Sequence, residues 1–202
     1  INLSTAGRVY IKLAEFKAPD FDSIFDGVSA IPWENYLSAD GKLFFDIKLF
    51  ESKLHALTAV QSVAKKAIVK RLCKAYKLSS LPESGERYKI EISVHKDFAT
   101  VSLDASGEGL HKRGYRTLAG EAQIKETLAA ALIDLSVWNK ERPFADIFCG
   151  TGTIAIEAAR KAAGIAPGLQ REFDFTSHKY FDKKIFEQSR AEAMAKRVEK
   201  VT

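Results

Sequence analysis

The stretch Asp146-Ile147-Phe148-Cys149-Gly150-Thr151-Gly152-Thr153 holds the residue types whose spacing most plainly prescribes chemistry. An apolar run ends in it, two glycines turn the chain, and a helical pattern begins. Glycine tolerates positive φ and, lacking a Cβ, lets a ligand approach the backbone. A helix starting there aims unpaired N–H groups and the positive end of its dipole at that ligand. Asp146 adds a hydrogen-bond acceptor beside the same crevice. Together these features describe a cradle for an adenosine-type cofactor. The stretch is neither a complete Gly-x-Gly-x-x-Gly nor a P-loop, since no Gly-Lys-Ser/Thr follows. By itself it leaves a purely structural strand-to-helix turn standing beside the cofactor reading. Cys149 has no His near it in sequence to activate it, so a small residue in a tight turn is expected rather than a nucleophile.

Two groups of cations could meet a polyanion. Lys66, Lys70 and Lys74 fall at i, i+4 and i+8 of one helical pattern, with Lys77 close behind, while Ala64, Ile68, Leu72 and Ala75 take another side. One face packs and one presents charge, as phosphate contact requires. A solvated surface would look the same. His111, Lys112, Arg113 and Arg116 surround Tyr115, and cations interleaved with an aromatic can grip a backbone and stack a base. A capping or domain-docking segment is the alternative there. His55, His95 and His178 are scattered singly and read as structural or surface residues, and Trp33, Tyr36 and Trp138 as core or inter-domain anchors.

These residues need elements to hold them. Alternation predicts strands over Arg8–Leu13, Leu43–Leu49, Tyr88–His95 and Phe98–Leu103, the last two joined by a turn at Lys96–Asp97. Helical spacing, with Asp20 as a cap, predicts helices over Asp20–Val28 and from about Ala59 to Tyr76. That is an α+β module. Gly107, Gly109, Gly114 and Gly120 then mark a linker or functional loop. Beyond it come a helix over Ala122–Val137 with Leu128, Leu132 and Leu135 on one side, and a short apolar strand over Phe144–Phe148. A helix over Thr153–Ala163 and a charged helix from about Lys183 to Val201 complete the pattern. Strand, glycine turn and helix in succession mark the start of an open parallel sheet. The expected organisation is a module over residues 1–105, a linker over 106–121 and the first part of a nucleotide-cofactor domain over 122–202.

Bulk properties bound these readings. At 202 residues, with 46% apolar and 28% charged residues, the chain can bury a substantial core. No stretch approaches the roughly 20 apolar residues of a membrane span, so no membrane partner is expected. Two distant cysteines, Cys73 and Cys149, argue against a disulfide scaffold or a zinc site and suit a reducing compartment. No metal and a cytoplasmic location are therefore expected. The net charge of +5 is compatible with a polyanionic partner. Ile1 rather than Met opens the sequence, so the native N-terminus is expected upstream. Oligomeric state is not encoded in any pattern here.

Four segments carry a resemblance. Asp146 to Glu157 (DIFCGTGTIAIE) resembles the cofactor motif of the class I methyltransferases, as found in THUMP-containing RNA guanine-N2 methyltransferases. Gly107 to Arg116 (GEGLHKRGYR) resembles that family's inter-domain segment, Ile124 to Leu132 (IKETLAAAL) the helix beside the cofactor's methionine end, and Ile165 to Phe173 (IAPGLQREF) the segment after the first catalytic-domain helix. Residues 1–100 resemble the THUMP region with its ferredoxin-like flank, less distinctively. The resemblance implies an α/β chain: an α+β THUMP/ferredoxin-like RNA-binding module followed by part of a Rossmann-like domain that binds S-adenosyl-L-methionine. It implies that Asp146, Cys149, Gly150, Thr151, Gly152 and Thr153 line the cofactor pocket, with Lys125, Glu126 and Thr127 near its amino-acid end. For Thr127 an ordinary helix position is equally compatible. The substrate implied is a guanine N2 of large-subunit ribosomal RNA.

Departures from the family pattern sharpen this. Glu172 and Asp174 lie about 20 residues past the glycines, where a ribose-binding acid is sought, but REFDF follows a Gly/Pro loop and does not read as a buried strand. The family's Asn/Asp-Pro-Pro-Tyr motif is absent, the prolines being at 19, 32, 82, 143 and 167. The catalytic end is therefore expected beyond Thr202, with no catalytic residue in these 202. Rival readings are a transfer-RNA guanine or DNA adenine methyltransferase, and a non-catalytic RNA-binding or assembly factor should the native chain stop here.

Overall fold

Strand β3 (Arg87–His95) shows the physical logic of the N-terminal half most clearly. Tyr88, Ile90, Ile92 and Val94 are buried and alternate with more exposed residues, as a strand with one face on a core requires. A computed structural model of the chain describes residues 1–116 and 123–198. Its residues divide into two compact units, one of Val9–Gly107 with Ser177–Phe181, the other of Ile1–Arg8, Glu108–Thr176 and Asp182–Thr202.

In the first unit β1 (Tyr10–Lys17), β2 (Lys42–Phe50), β3 and β4 (Phe98–Asp104) form a sheet in the order β1-β4-β3-β2. The pairs β1·β4 and β3·β4 are antiparallel, and β2·β3 is parallel with Ile47 opposite Ile92. Lys96 and Asp97 close the β3–β4 hairpin with φ of 52° and 60°, the left-handed pair that a two-residue hairpin turn demands. The Asp97 carboxylate accepts from the Lys53 backbone N–H at 2.9 Å, which draws its pKa down.

Helix α1 (Phe21–Ala30) starts where expected, because Asp20 Oδ1 accepts from the Ser23 N–H at 2.8 Å. Helix α2 (Leu57–Tyr76) ends at Lys77 in the left-handed region. Ile24 and Val28 of α1 and Val60, Ala64, Ile68 and Leu72 of α2 join the inward residues of β3 and β4 in one core. Trp33 is fully buried there, its indole N–H donating to the Val28 carbonyl at 2.8 Å. Tyr36 packs at the edge of that core. His178 stacks on Tyr88 with centroids 4.4 Å apart, and its Nε2 lies 3.0 Å from the Arg87 carbonyl oxygen. It is structural, as its isolation in sequence suggested.

The second unit contains α3 (Glu126–Leu135), α4 (Thr153–Ala162) and α5 (Lys183–Ala195). Helices α3 and α4 pack together, burying Ala129, Ala130 and Ile133 of one and Ala158 of the other. Phe173, Phe175 and Phe186 form an aromatic cluster with centroids 5.2–5.8 Å apart.

Two expectations are corrected. Residues 144–148 form no strand: a strand needs a neighbour to take its backbone N–H and C=O groups, and none lies beside it among the described residues. The α3 side carrying Leu128, Leu132 and Leu135 is exposed, and the smaller Ala129, Ala130 and Ile133 form the packed face. The units are discontinuous in sequence, with residues 1–8 outside the sheet unit and 177–181 inside it. Residues 117–122 of the linker and helix start, 199–201 of the expected last helix, and Thr202 lie outside the described residues.

Candidate functional site

Gly150 and Gly152 have φ of +54° and +73°, and Gly152 is the N-cap of α4. The Gly152 N–H donates to the Cys149 carbonyl at 2.7 Å, closing the turn. Gly152 brings no side-chain cap to α4, and among the described residues no side-chain cap is present, so its first N–H groups lack an intrahelical acceptor. A Cβ built on Gly150 would meet nothing within 4 Å, and one on Gly152 only the Ile156 Cδ1 at 3.8 Å. Glycine is needed at these positions for backbone conformation and for an open approach, not to relieve crowding inside the chain. That open, amide-lined turn fits the polar groups of an adenosine cofactor such as S-adenosylmethionine.

Asp146 is half-buried, while Cys149, Gly150 and Thr151 are exposed beside the turn. Thr151 Oγ1 and Thr153 Oγ1 are 3.2 Å apart. Lys125 is the exposed N-cap residue of α3; Glu126 and Thr127 are buried behind it. One side chain joins the two candidate segments. Arg116 donates from Nε to Glu126 Oε1 and from Nη2 to Thr153 Oγ1, both at 2.9 Å.

The basic loop is used differently from the expectation. Arg113 is buried, with 1% of its side chain exposed, so it cannot grip RNA. Its Nη1 donates to the Leu110 carbonyl at 2.8 Å, Nη2 donates to the Ser4 carbonyl, and the guanidinium lies 3.7 Å from Glu157 Oε2. A guanidinium surrounded by carbonyls and one carboxylate is a structural cation. Tyr115 is likewise engaged: its hydroxyl donates to Glu157 Oε1 at 3.0 Å and the Arg160 guanidinium lies 5.1 Å from its ring centroid, leaving one face at most for a base. Burial, and then the Glu157 charge, push the Tyr115 hydroxyl pKa up. Burial also raises the Glu157 pKa, with Arg113 and the Tyr115 hydrogen bond opposing. Lys112 remains exposed and pairs with Glu108 at 2.7 Å; His111 is half-buried, and burial lowers its pKa.

On the sheet unit Lys66, Lys70 and Lys74 are exposed along α2. Lys70 Nζ sits 5.5 Å from the Phe25 ring centroid. Lys70 and Lys74 border a groove of about 520 Å³ that also includes Phe25, Ser29, Glu34 and Arg71. Arg71 grips Glu34 at both oxygens, at 2.8 and 2.7 Å, and holds its carboxyl down at a pKa of about 2.

Sequence reasoning missed the Arg71–Glu34 pair, which joins distant positions by no periodic signal. It also assigned no role to Glu157, although an acid four residues after Thr153 beside buried Ala158 marks a charge turned inward. Among the described residues no group of three or more His, Cys, Asp and Glu side chains is placed to hold a metal, and no helix is long and apolar enough to cross a membrane.

Comparison with known proteins fits this geometry. Residues 18–104 match the THUMP domain, and residues 113–201 the RMKL-like methyltransferase domain. The chain is 44% identical over 200 residues to "Putative RNA methyltransferase YpsC" of Bacillus subtilis, covering 96% of this chain and 51% of that protein. It is 36% identical over 193 residues to Ribosomal RNA large subunit methyltransferase K/L of Aliivibrio salmonicida, covering 95% of this chain and 27% of that protein. The solved structure of SMU.472, "a putative methyltransferase complexed with SAH", superposes with a TM-score of 0.92 at 42% identity, covering 98% of this chain and 53% of that one. The chain thus spans about half the length, or less, of the relatives it matches. With a four-stranded α+β module preceding a glycine-turned helix, and both domain models matched in order, the chain carries a THUMP domain followed by sequence of an RMKL-like methyltransferase domain.

Proposed function

We propose that this chain supplies the RNA-binding module and the cofactor cradle of an S-adenosylmethionine-dependent RNA methyltransferase. The carrying observation is the pair of left-handed glycines, Gly150 and Gly152, opening onto the uncapped head of α4. When bound, S-adenosylmethionine supplies an activated methyl group. The chain's own residues then bind and orient. Backbone amides of the turn meet the cofactor's polar groups, Asp146 and the hydroxyls of Thr151 and Thr153 offer further partners, and Lys125 presents a cation suited to the amino-acid carboxylate. Cys149 lines the turn as a small side chain. Glu126 and Thr127 back this surface from the first turn of α3.

Lys66, Lys70 and Lys74 supply phosphate contacts from α2, with Lys112 and His111 as polar contacts on the loop. The substrate reading is the exocyclic N2 of a guanine in large-subunit ribosomal RNA, supported by likeness to a protein named for that RNA. Two free cysteines suit a reducing, cytoplasmic setting.

Methyl incorporation by the full-length protein into ribosomal RNA, transfer RNA and DNA tests this reading. Transfer to ribosomal RNA, abolished together with S-adenosylhomocysteine binding by Gly152→Val, is the expected result. Transfer confined to transfer RNA or DNA would overturn the substrate, and a wild-type protein that binds no S-adenosylhomocysteine would overturn the cofactor.

A further inference from the structure

We propose that Arg116 is a positioning residue of the cofactor cradle, locking the head of α3 to the head of α4 rather than contacting RNA. The inference rests on the cofactor reading above. Its geometry is specific. The Arg116 guanidinium reaches the first residue of α3 through Glu126 and the first residue of α4 through Thr153, both at 2.9 Å. Glu126 is the middle residue of Lys125–Thr127 and Thr153 the last of Gly150–Thr153, the two segments assigned to the cofactor. Glu126 is nearly inaccessible, and Arg116 is the cation its carboxylate pairs with among the described residues, so that pair compensates its burial.

Residues preceding Arg116 fix its approach. Arg113 and Tyr115 both engage Glu157, four residues further along α4 than Thr153 and hence on the same face. The segment 113–116 is therefore strapped along α4, and its last cation is delivered to the helix head. Thr153 Oγ1, which accepts from Arg116, can use its own proton toward Thr151 Oγ1 3.2 Å away. One guanidinium thus orders a hydroxyl pair directly beside Gly152. Lysine cannot reproduce this, because a single ammonium on a flexible stem lacks the planar fork that reaches two acceptors at once.

The full-length protein with Arg116→Ala and Arg116→Lys provides the test. Titration calorimetry with S-adenosylhomocysteine is expected to show Kd raised about tenfold in both variants, the scale of one charge-assisted hydrogen bond. Ribosomal RNA affinity should stay within about twofold, and KM for S-adenosylmethionine should rise more than kcat falls. A wild type that binds no S-adenosylhomocysteine defeats the cofactor reading itself. A binding-competent wild type whose variants keep its Kd overturns the positioning role alone, as does a variant that loses RNA affinity or melting temperature without losing cofactor affinity. If Arg116→Ala does not fold, Arg116→Lys decides by the same readings.

Discussion

The two units differ in the apolar surface they leave open in this chain. In the sheet unit Ile90, Ile92, Val94, Ala99, Val101 and Leu103 are all fully buried between paired strands and two helices. In the unit carrying the glycine turn, Leu135 is 85% exposed, Ile147 84% and Phe148 91%. Its buried centre is rich in charge instead: Arg113, Glu126 and Glu157 are all inaccessible. Burying apolar side chains is favourable by itself, whereas buried charges hold only as matched sets. The sheet unit is thus held chiefly by packing, and the turn unit by smaller apolar contacts together with a polar network that also fixes where its loop and helix heads lie. Stability and site geometry are separate matters in the first unit and one matter in the second.

Arg113→Met should break that account most forcefully if it is wrong. Removing the guanidinium strands Glu157 and several carbonyls, and a broken buried pair costs about 3–5 kcal/mol. Urea unfolding should therefore show the turn unit destabilised by that amount, while affinity for RNA through the lysines of α2 is unchanged. Adding Glu157→Leu should recover much of the loss, since an apolar pair does not need compensation. An Arg113→Met protein as stable as the parent, or one that loses RNA alone, would return Arg113 to the surface role its sequence context suggests.

Ile92→Ala and Leu135→Ala sharpen the same contrast through packing. Ile92 lies in the middle of β3 opposite Val101, and its truncation should cost about 2–5 kcal/mol. Leu135, though equally apolar, should cost less than about 0.5 kcal/mol on truncation. Denaturant midpoints of the two variants check both values. Equal losses would show that the exposed side of α3 is covered in the protein as studied.

The contrast also explains what was legible in the sequence. Strand alternation in β3, the Asp20 cap, the turn at Lys96–Asp97 and the lysine face of α2 were readable because each is local: periodicity or one short-range hydrogen bond decides it. The glycine turn was legible for the same reason, since Gly150 and Gly152 must take positive φ wherever the chain turns so tightly. Residues 144–148 form no strand in this chain because a strand exists only with a neighbour, which periodicity cannot supply. The leucines of α3 misled because the larger apolar stripe is not the packed one when Ala129 and Ala130 allow closer helix contact. Arg113 and Arg116 were read as one basic cluster. Their separation into a buried cation and a bridge between helix heads depends on Glu157, Glu126 and Thr153, which are distant or differently placed in sequence.

A smaller effect than those at Arg113 and Ile92 lies in the sheet unit, where Arg71 and Glu34 form a bidentate ion pair. The Glu34 carboxyl is lowered from 4.5 to about 2, chiefly by its hydrogen bonds to Arg71. A depressed carboxylate pKa contributes stability that is complete above the unfolded value and is lost as pH falls through the folded one. The window is therefore from about pH 4.5 down to about pH 2. Both side chains are about one-third exposed, at 29% and 31%, so solvent screening limits the contribution to about 1 kcal/mol. Melting curves of Glu34→Gln and the parent should differ slightly at neutral pH and converge as the window is crossed. This acid-dependent term belongs to the sheet unit alone. A variant whose separation from the parent persists unchanged at pH 2 would mean that Glu34 acts through shape at the Arg71 groove and not through its charge.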